Sequence, residues 1–107
     1  MDMAILPNGL VNQAQLADEI NNAVGKLGNE VVHVYHGIGS DTSGDPAIFF
    51  RVVLTDAASR EDNLAEVTGR IENLLFEEIH PYEWGLIPYF SFRSQSEQAT
   101  LGEHAWK

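Results

Sequence analysis

The chain contains no cysteine. Disulfides, thiolate metal sites, iron–sulfur clusters and cysteine nucleophiles are therefore excluded. It also has no apolar stretch near the roughly 20 residues that a membrane-spanning helix requires. At the start, Asp2 stands where a secretory leader carries a basic residue. These absences predict a cytoplasmic protein with no membrane partner.

Basic residues are scarce. Six lysines and arginines stand against sixteen aspartates and glutamates, which gives a formal net charge of −10. Nucleic-acid binding gains much of its affinity from neutralised phosphates, and the few bases here form no cluster. Nucleic acid is therefore not expected as a partner. An acidic surface keeps a small protein dissolved and also suits a basic partner protein.

The remaining composition is that of one globular domain. The chain has 107 residues, of which 44% are hydrophobic and 21% charged. Residues 1–11 form a lead-in, in which Met3 to Leu6 are apolar enough for a short extra strand. Residues 12–93 carry the regular patterns, and residues 94–107 form a polar tail.

Two helical and three strand-like patterns alternate in the order αββαβ. This order predicts an α+β fold, a ferredoxin-like two-layer sandwich in which two helices cover one face of an antiparallel or mixed sheet. The predicted segments are a helix over 12–27, strands over 31–37, 47–55 and 84–93, a loop over 37–46 and a helix from about Ser59 to Pro81.

The sheet face turned away from the helices is too apolar to stand bare in water. We expect it to support a homodimer, with Tyr35, Phe49, Val53 and Tyr89 in the interface. Three alternatives remain: the C-terminal tail covers the face, the face assignment is shifted by one residue, or the N-terminal segment covers the face. The predicted members of this face are Val31, His33, Tyr35, Phe49, Arg51, Val53, Ile87 and Tyr89.

From Asn12 to Phe92 the pattern resembles αββαβ domains that dimerise, such as the cytoplasmic domain of cation diffusion facilitators. The resemblance rests on His33-Val34-Tyr35-His36-Gly37, on the strand from Ile48 to Leu54, and on a helix stripe of Leu64, Val67, Ile71 and Leu74. It implies the fold and a dimeric arrangement. No metal ligand is carried over from that family.

Histidine and aspartate residues cluster around the predicted loop. Imidazole and carboxylate suit zinc, nickel or manganese, so His36, Asp41 and Asp45 are candidate metal ligands. His33 lies three residues before His36, so in a regular strand the two point to opposite faces. The structural alternative is a packed strand histidine beside loop acids that form Asx turns.

A second group, His80, Tyr82 and Trp84, follows the second helix and is a candidate site for a small ligand or an enzyme reaction. The alternative is a helix-terminal histidine beside core or interface aromatics. No motif in the chain forms a catalytic signature, and none predicts a cofactor. The sequence therefore favours a non-enzymatic interaction and dimerisation module over a metal-binding domain or a small enzyme.

Overall fold

The computed structural model describes residues 12–101. The predicted αββαβ order is confirmed, and one further helix follows it. Residues 3–6, the predicted extra strand, lie outside the described residues. The elements are α1 (Gln13–Val24), β1 (Val31–Ser40), β2 (Pro46–Leu54), α2 (Glu61–Ile79), a 3₁₀ turn (Pro81–Trp84), β3 (Ile87–Ser94) and α3 (Gln95–Leu101).

The three described strands form one mixed sheet in the order β1-β2-β3. β2 is central, antiparallel to β1 and parallel to β3. The α+β class and the mixed sheet are therefore confirmed, whereas the ferredoxin-like order is not. Two parallel strands need a long crossover connection. Between β2 and β3 this connection contains α2 and the 3₁₀ turn.

Both longer helices pack on one face of this sheet. The core is formed by side chains of β2 that alternate along the strand, together with the apolar stripes of α1 and α2. Within residues 12–101, no helix is long and apolar enough to cross a membrane. The central members of the core are Ile48, Phe50, Val52 and Leu54 from β2, Leu16 and Ile20 from α1, and Val67, Ile71, Leu75 and Ile79 from α2.

β1 contains an irregularity that changes which of its side chains enter the core. Val31 pairs with Leu54 and His33 pairs with Val53, so Val32 is the extra residue of a bulge. Val31 consequently packs against the core, and Val32 is 46% exposed. The prediction that Val31 lies on the outer face is therefore wrong.

The connection between β1 and β2 is shorter than predicted, because the ladder continues to the pair Ser40–Pro46. The turn is closed by Asp41, whose backbone N–H donates to the carbonyl of Asp45 at 2.9 Å. Its carboxylate accepts hydrogen bonds from the backbone N–H groups of Ser43 and Asp45. Gly44 has φ +86°, a left-handed conformation that favours glycine.

The first part of the predicted polar tail is helical, since α3 spans Gln95–Leu101. Ser94 and Glu97 form a reciprocal capping box at its start, with bonds of 2.8 and 3.0 Å. Ser96 donates to Asp56 through both its backbone N–H and its hydroxyl. None of the residues of α3 is buried, so polar contacts hold this helix to the loop after β2.

Candidate interaction surface on the sheet

The outer sheet face consists of the strand residues whose side chains point away from α1 and α2. The register of the three strands places four residues of each strand on it. From β1 these are His33, Tyr35, Gly37 and Gly39; from β2, Ala47, Phe49, Arg51 and Val53; and from β3, Ile87, Tyr89, Ser91 and Arg93. The four predicted interface residues, Tyr35, Phe49, Val53 and Tyr89, all lie on this face.

A stacked aromatic pair occupies the centre of the outer sheet face. Phe49 and Tyr89 are directly paired in the parallel register. Their ring centroids lie 5.5 Å apart, and the angle between the ring planes is 18°. On the β1 side Phe49 is paired with Gly37, which has no side chain to pack against the ring. A Cβ at Gly39 would lie 3.6 Å from Cε2 of Phe49. The absence of side chains here leaves the phenylalanine half-exposed beside Tyr89, which is 41% exposed.

The opposite end of the face carries both a second contact between two rings and the cationic side chain of Arg51. The rings of His33 and Tyr35 meet edge to face, with centroids 4.3 Å apart. Arg51 lies between Tyr35 and Ser91 in the register. Val53 is only 4% exposed, so this predicted interface residue offers little surface of its own.

A hydrogen bond connects the β1–β2 turn to β3. The Tyr89 hydroxyl donates to Oδ2 of Asp41 at 2.8 Å. The backbone N–H of Asp45, followed by this hydroxyl, lowers the pKa of Asp41. The same bond to Asp41 raises the pKa of Tyr89, and the negative charge of Asp45 adds to that effect. The turn therefore extends the aromatic centre with an ordered acidic edge.

The turn and the aromatic pair together enclose a shallow, mainly apolar depression of about 340 Å³. Phe49 and Tyr89 supply its apolar surface, and residues of the turn form its rim. A depression of this shape suits an apolar side chain from a partner better than a polar metabolite, because few polar groups converge on it. Its lining residues are Ser40, Asp41, Thr42, Phe49 and Tyr89.

The predicted metal ligands are not brought together. His36 is paired with Phe50 on the helix side of the sheet, where partial burial lowers its pKa, and His33 lies on the outer face as predicted. The Asp41 carboxylate already accepts hydrogen bonds from the turn and from Tyr89. Among residues 12–101 no three histidine or acidic side chains are grouped to hold a metal ion. Metal binding by His36, Asp41 and Asp45 stays a prediction without structural support.

The second candidate group lies at the junction between α2 and the 3₁₀ turn. His80 is exposed and adopts a left-handed conformation with φ 53°. The rings of Tyr82 and Phe76 meet edge to face, with centroids 5.6 Å apart, whereas Trp84 packs against the core. Because the two rings contact different neighbours, the arrangement has no convergent geometry, and a ligand or enzyme site here stays a prediction.

A larger groove of about 730 Å³ lies beside the N-terminal half of α2, at the carboxyl ends of β2 and β3. Ligands of α/β proteins often bind at such ends. Here, however, the Ser59 hydroxyl donates to the Thr55 carbonyl, and the Thr68 hydroxyl donates to the Ala65 carbonyl. Among the other polar residues that line the groove, Ser94 and Glu97 bond to each other, and Arg93 donates to Gln98 of α3. These polar groups are therefore engaged within the protein itself.

Comparison of the chain with protein-family models, with curated protein sequences and with solved structures finds no similar protein. The assignment of a function therefore depends on the geometry of the chain itself. Sequence reasoning missed the bond between Asp41 and Tyr89. The odd-numbered residues of β1 from His33 onward lie on the outer sheet face. Continuing that alternation to position 41 places Asp41 on the same face as Tyr89, and this was the signal in the sequence.

Proposed function

We propose that this protein is a non-enzymatic interaction module that self-associates through its outer sheet face. The observation that carries the proposal is the half-exposed stack of Phe49 and Tyr89 at the centre of a face that neither α1 nor α2 covers. Aromatic rings of this kind are enriched in interfaces because they bury a large area at a small cost in conformational entropy.

The dimensions of the face limit the area that the association can bury. Three strands about 4.8 Å apart, paired over eight residues at about 3.3 Å each, give a face about 14 Å wide and about 26 Å long. Such a footprint, roughly 400 Å² per copy, is small beside the roughly 800 Å² that a standard interface buries on each partner. We therefore expect a reversible dimer with a dissociation constant in the micromolar range.

A second copy of the chain is the occupant because two apolar faces of the same shape satisfy each other. In a twofold dimer the same patch is used on both subunits, so each copy covers the aromatic pair of the other. Gly37 beside Phe49 leaves room for a partner ring to approach the flank of the phenylalanine.

Sedimentation velocity across a concentration series from about 5 to 500 μM, which brackets a micromolar dissociation constant, tests this proposal. The wild-type chain is expected to shift from monomer to dimer, and Phe49→Ala is expected to weaken the dimer at least tenfold. Phe76→Ala is the matched control, since Phe76 lies in α2 and is 40% exposed. A chain that stays monomeric throughout, or equal effects of the two variants, would contradict the proposal.

A basic partner protein is a second prediction, and it concerns the helix side of the molecule. The exposed residues of α2 include several acids, and the whole chain carries a net charge of −10. Binding of a polylysine peptide at low and high salt, measured with the wild type and with Glu61→Gln/Asp62→Asn, tests it. Tight binding that salt abolishes and that the variant loses supports a defined acidic contact.

A further inference from the structure

Charges are distributed unevenly along the strands of the outer sheet face. At the paired strand positions of this face the charged side chains are Arg51 and Arg93, with His33 beside them in the register. No aspartate or glutamate occupies any of those twelve positions. The acids lie at the other end, in the turn, where Asp41 and Asp45 both act on the pKa of Tyr89.

This polarity distinguishes the two simplest ways to place one face on another. A twofold axis along the strands places the acidic turn of one copy against the acidic turn of the other. A twofold axis across the strands places the acidic turn against the arginine end of the partner, and this happens twice because of the symmetry. Like charges facing each other are repulsive, so the second arrangement is favoured.

We propose that two copies associate head to tail, with the Asp41–Asp45 turn of each copy opposite the Arg51 end of the other. This inference rests on the proposed self-association and specifies its orientation. The symmetry axis then crosses β2 at about the level of Ile48, midway between Asp45 and Arg51, so each of these charged residues lies about 10 Å from the axis along the strand. The stacked pair of Phe49 and Tyr89 lies about 3 Å from the same axis. The dimer thus combines an apolar centre with two identical charged contacts.

Charge reversal provides the test, because head-to-tail pairing makes a specific prediction for mixtures. Asp45→Arg alone creates two repulsive contacts in its homodimer, as does Arg51→Glu alone. In a mixture of the two variants, one contact is restored with reversed signs and the other keeps its native residues. We expect each variant to dimerise at least tenfold more weakly than the wild type, and the mixture to form a heterodimer of about wild-type strength.

Glu77→Arg is the matched control for net charge. It lies on the exposed surface of α2 and changes the net charge by the same amount as Asp45→Arg. Since both substitutions make an acidic chain less negative, general repulsion decreases in both. Only the head-to-tail contact makes Asp45→Arg weaken the dimer while Glu77→Arg leaves it unchanged or strengthens it.

Sedimentation of each variant, with far-UV circular dichroism to verify folding, separates the outcomes. If the wild type dimerises and both reversals dimerise equally well, the orientation is refuted while self-association stands. If the wild type stays monomeric, the proposed function fails and this inference fails with it. The neutral variants Asp45→Asn and Arg51→Gln supply the same comparison if a reversal prevents folding. With these variants the heterodimer keeps one contact and each homodimer keeps none.

Discussion

Phe49 and Phe50 are neighbours in β2 whose side chains lie on opposite faces of the sheet, so their substitution by alanine should have different consequences. Phe50 is 0% exposed and stacks on Phe90, with ring centroids 5.2 Å apart. Truncation of a buried phenylalanine costs about 3–5 kcal/mol, because the apolar contacts are lost and a cavity remains. A small domain has a free energy of unfolding of only about 5–15 kcal/mol.

Phe49 is half-buried, and in the single chain its main ring partner is Tyr89. An aromatic pair contributes about 0.5–1.5 kcal/mol beyond the area that it buries. We therefore expect Phe49→Ala to lower the free energy of unfolding of the monomer by about 1–2 kcal/mol. The central values of the two losses differ by about 2.5 kcal/mol. Since each kcal/mol shifts the Tm of a domain of this size by about 4–8 °C, the Tm values of the two variants should differ by about 10–20 °C.

Thermal and urea unfolding, each at a low and a high protein concentration, measure both effects. Phe50→Ala should be strongly destabilised at either concentration, and its remaining stability should still rise with concentration. Phe49→Ala should be mildly destabilised and should lose the concentration dependence of the wild type, since linked dimerisation no longer stabilises the folded state. Equal destabilisation of the two variants at low concentration would refute the assignment of the two faces.

Three further predictions concern groups outside the core. Asp41→Asn removes the charged acceptor of the Tyr89 hydroxyl, so the pKa of Tyr89 should fall towards its ordinary value of 10.0; ultraviolet titration, with Tyr89→Phe to identify the residue, measures this. Asp56 is held by Ser96, and these hydrogen bonds lower its pKa below 3.8. Its contribution to stability is therefore complete above that value and is lost as the pH falls through the lowered pKa of the folded state, so the acid dependence of unfolding should be shallower in Asp56→Asn. His80 has φ 53°, a region that glycine adopts without strain, so His80→Gly should raise the free energy of unfolding by about 1 kcal/mol. Gly85 has φ 76°, so Gly85→Ala should lower the free energy of unfolding. Chemical denaturation of the two variants checks both signs.

Consecutive residues of a strand point to opposite faces, and in β2 the even-numbered residues from 48 to 54 are all apolar. The odd-numbered residues of the same stretch include Arg51, so the sequence indicates the even-numbered side as the core face. That pattern placed Phe50 in the core and Phe49 on the outer face, as the register shows. The bulge in β1 was not readable, because Val31 and Val32 are adjacent valines and either suits the core. Tertiary pairing with β2 selects Val31.

The start of α2 shows a second limit. Ser59 stands three residues before Asp62, which is the spacing of a capping box. In the structure its hydroxyl donates to the Thr55 carbonyl instead, and the helix begins at Glu61. The Ser59 hydroxyl can bond either to the Thr55 carbonyl or to the backbone N–H of Asp62, and the sequence does not show which bond forms. Both partners lie within a few residues of Ser59, so spacing alone favours neither.

The sequence predicted which residues lie on the candidate surface, but it did not predict which of them contact each other. Tyr35, Phe49 and Tyr89 follow from alternation within single strands. The contact of Phe49 with Tyr89 requires β3 to lie beside β2 in parallel register, and β3 is separated from β2 by the whole of α2. Pairing at that sequence distance is set by the packing of the helix, which no local pattern records.

The central position of β2 between an antiparallel and a parallel neighbour also has a kinetic consequence. The β1–β2 hairpin closes through the short turn at Asp41–Asp45 and can form in microseconds, whereas β3 must wait for the long connection through residues 55–86 to close. We therefore expect Phe49 to be in place before Tyr89 joins it. A chain still in the course of folding presents half of the aromatic stack, so only a chain that has finished folding presents the complete surface to a second copy.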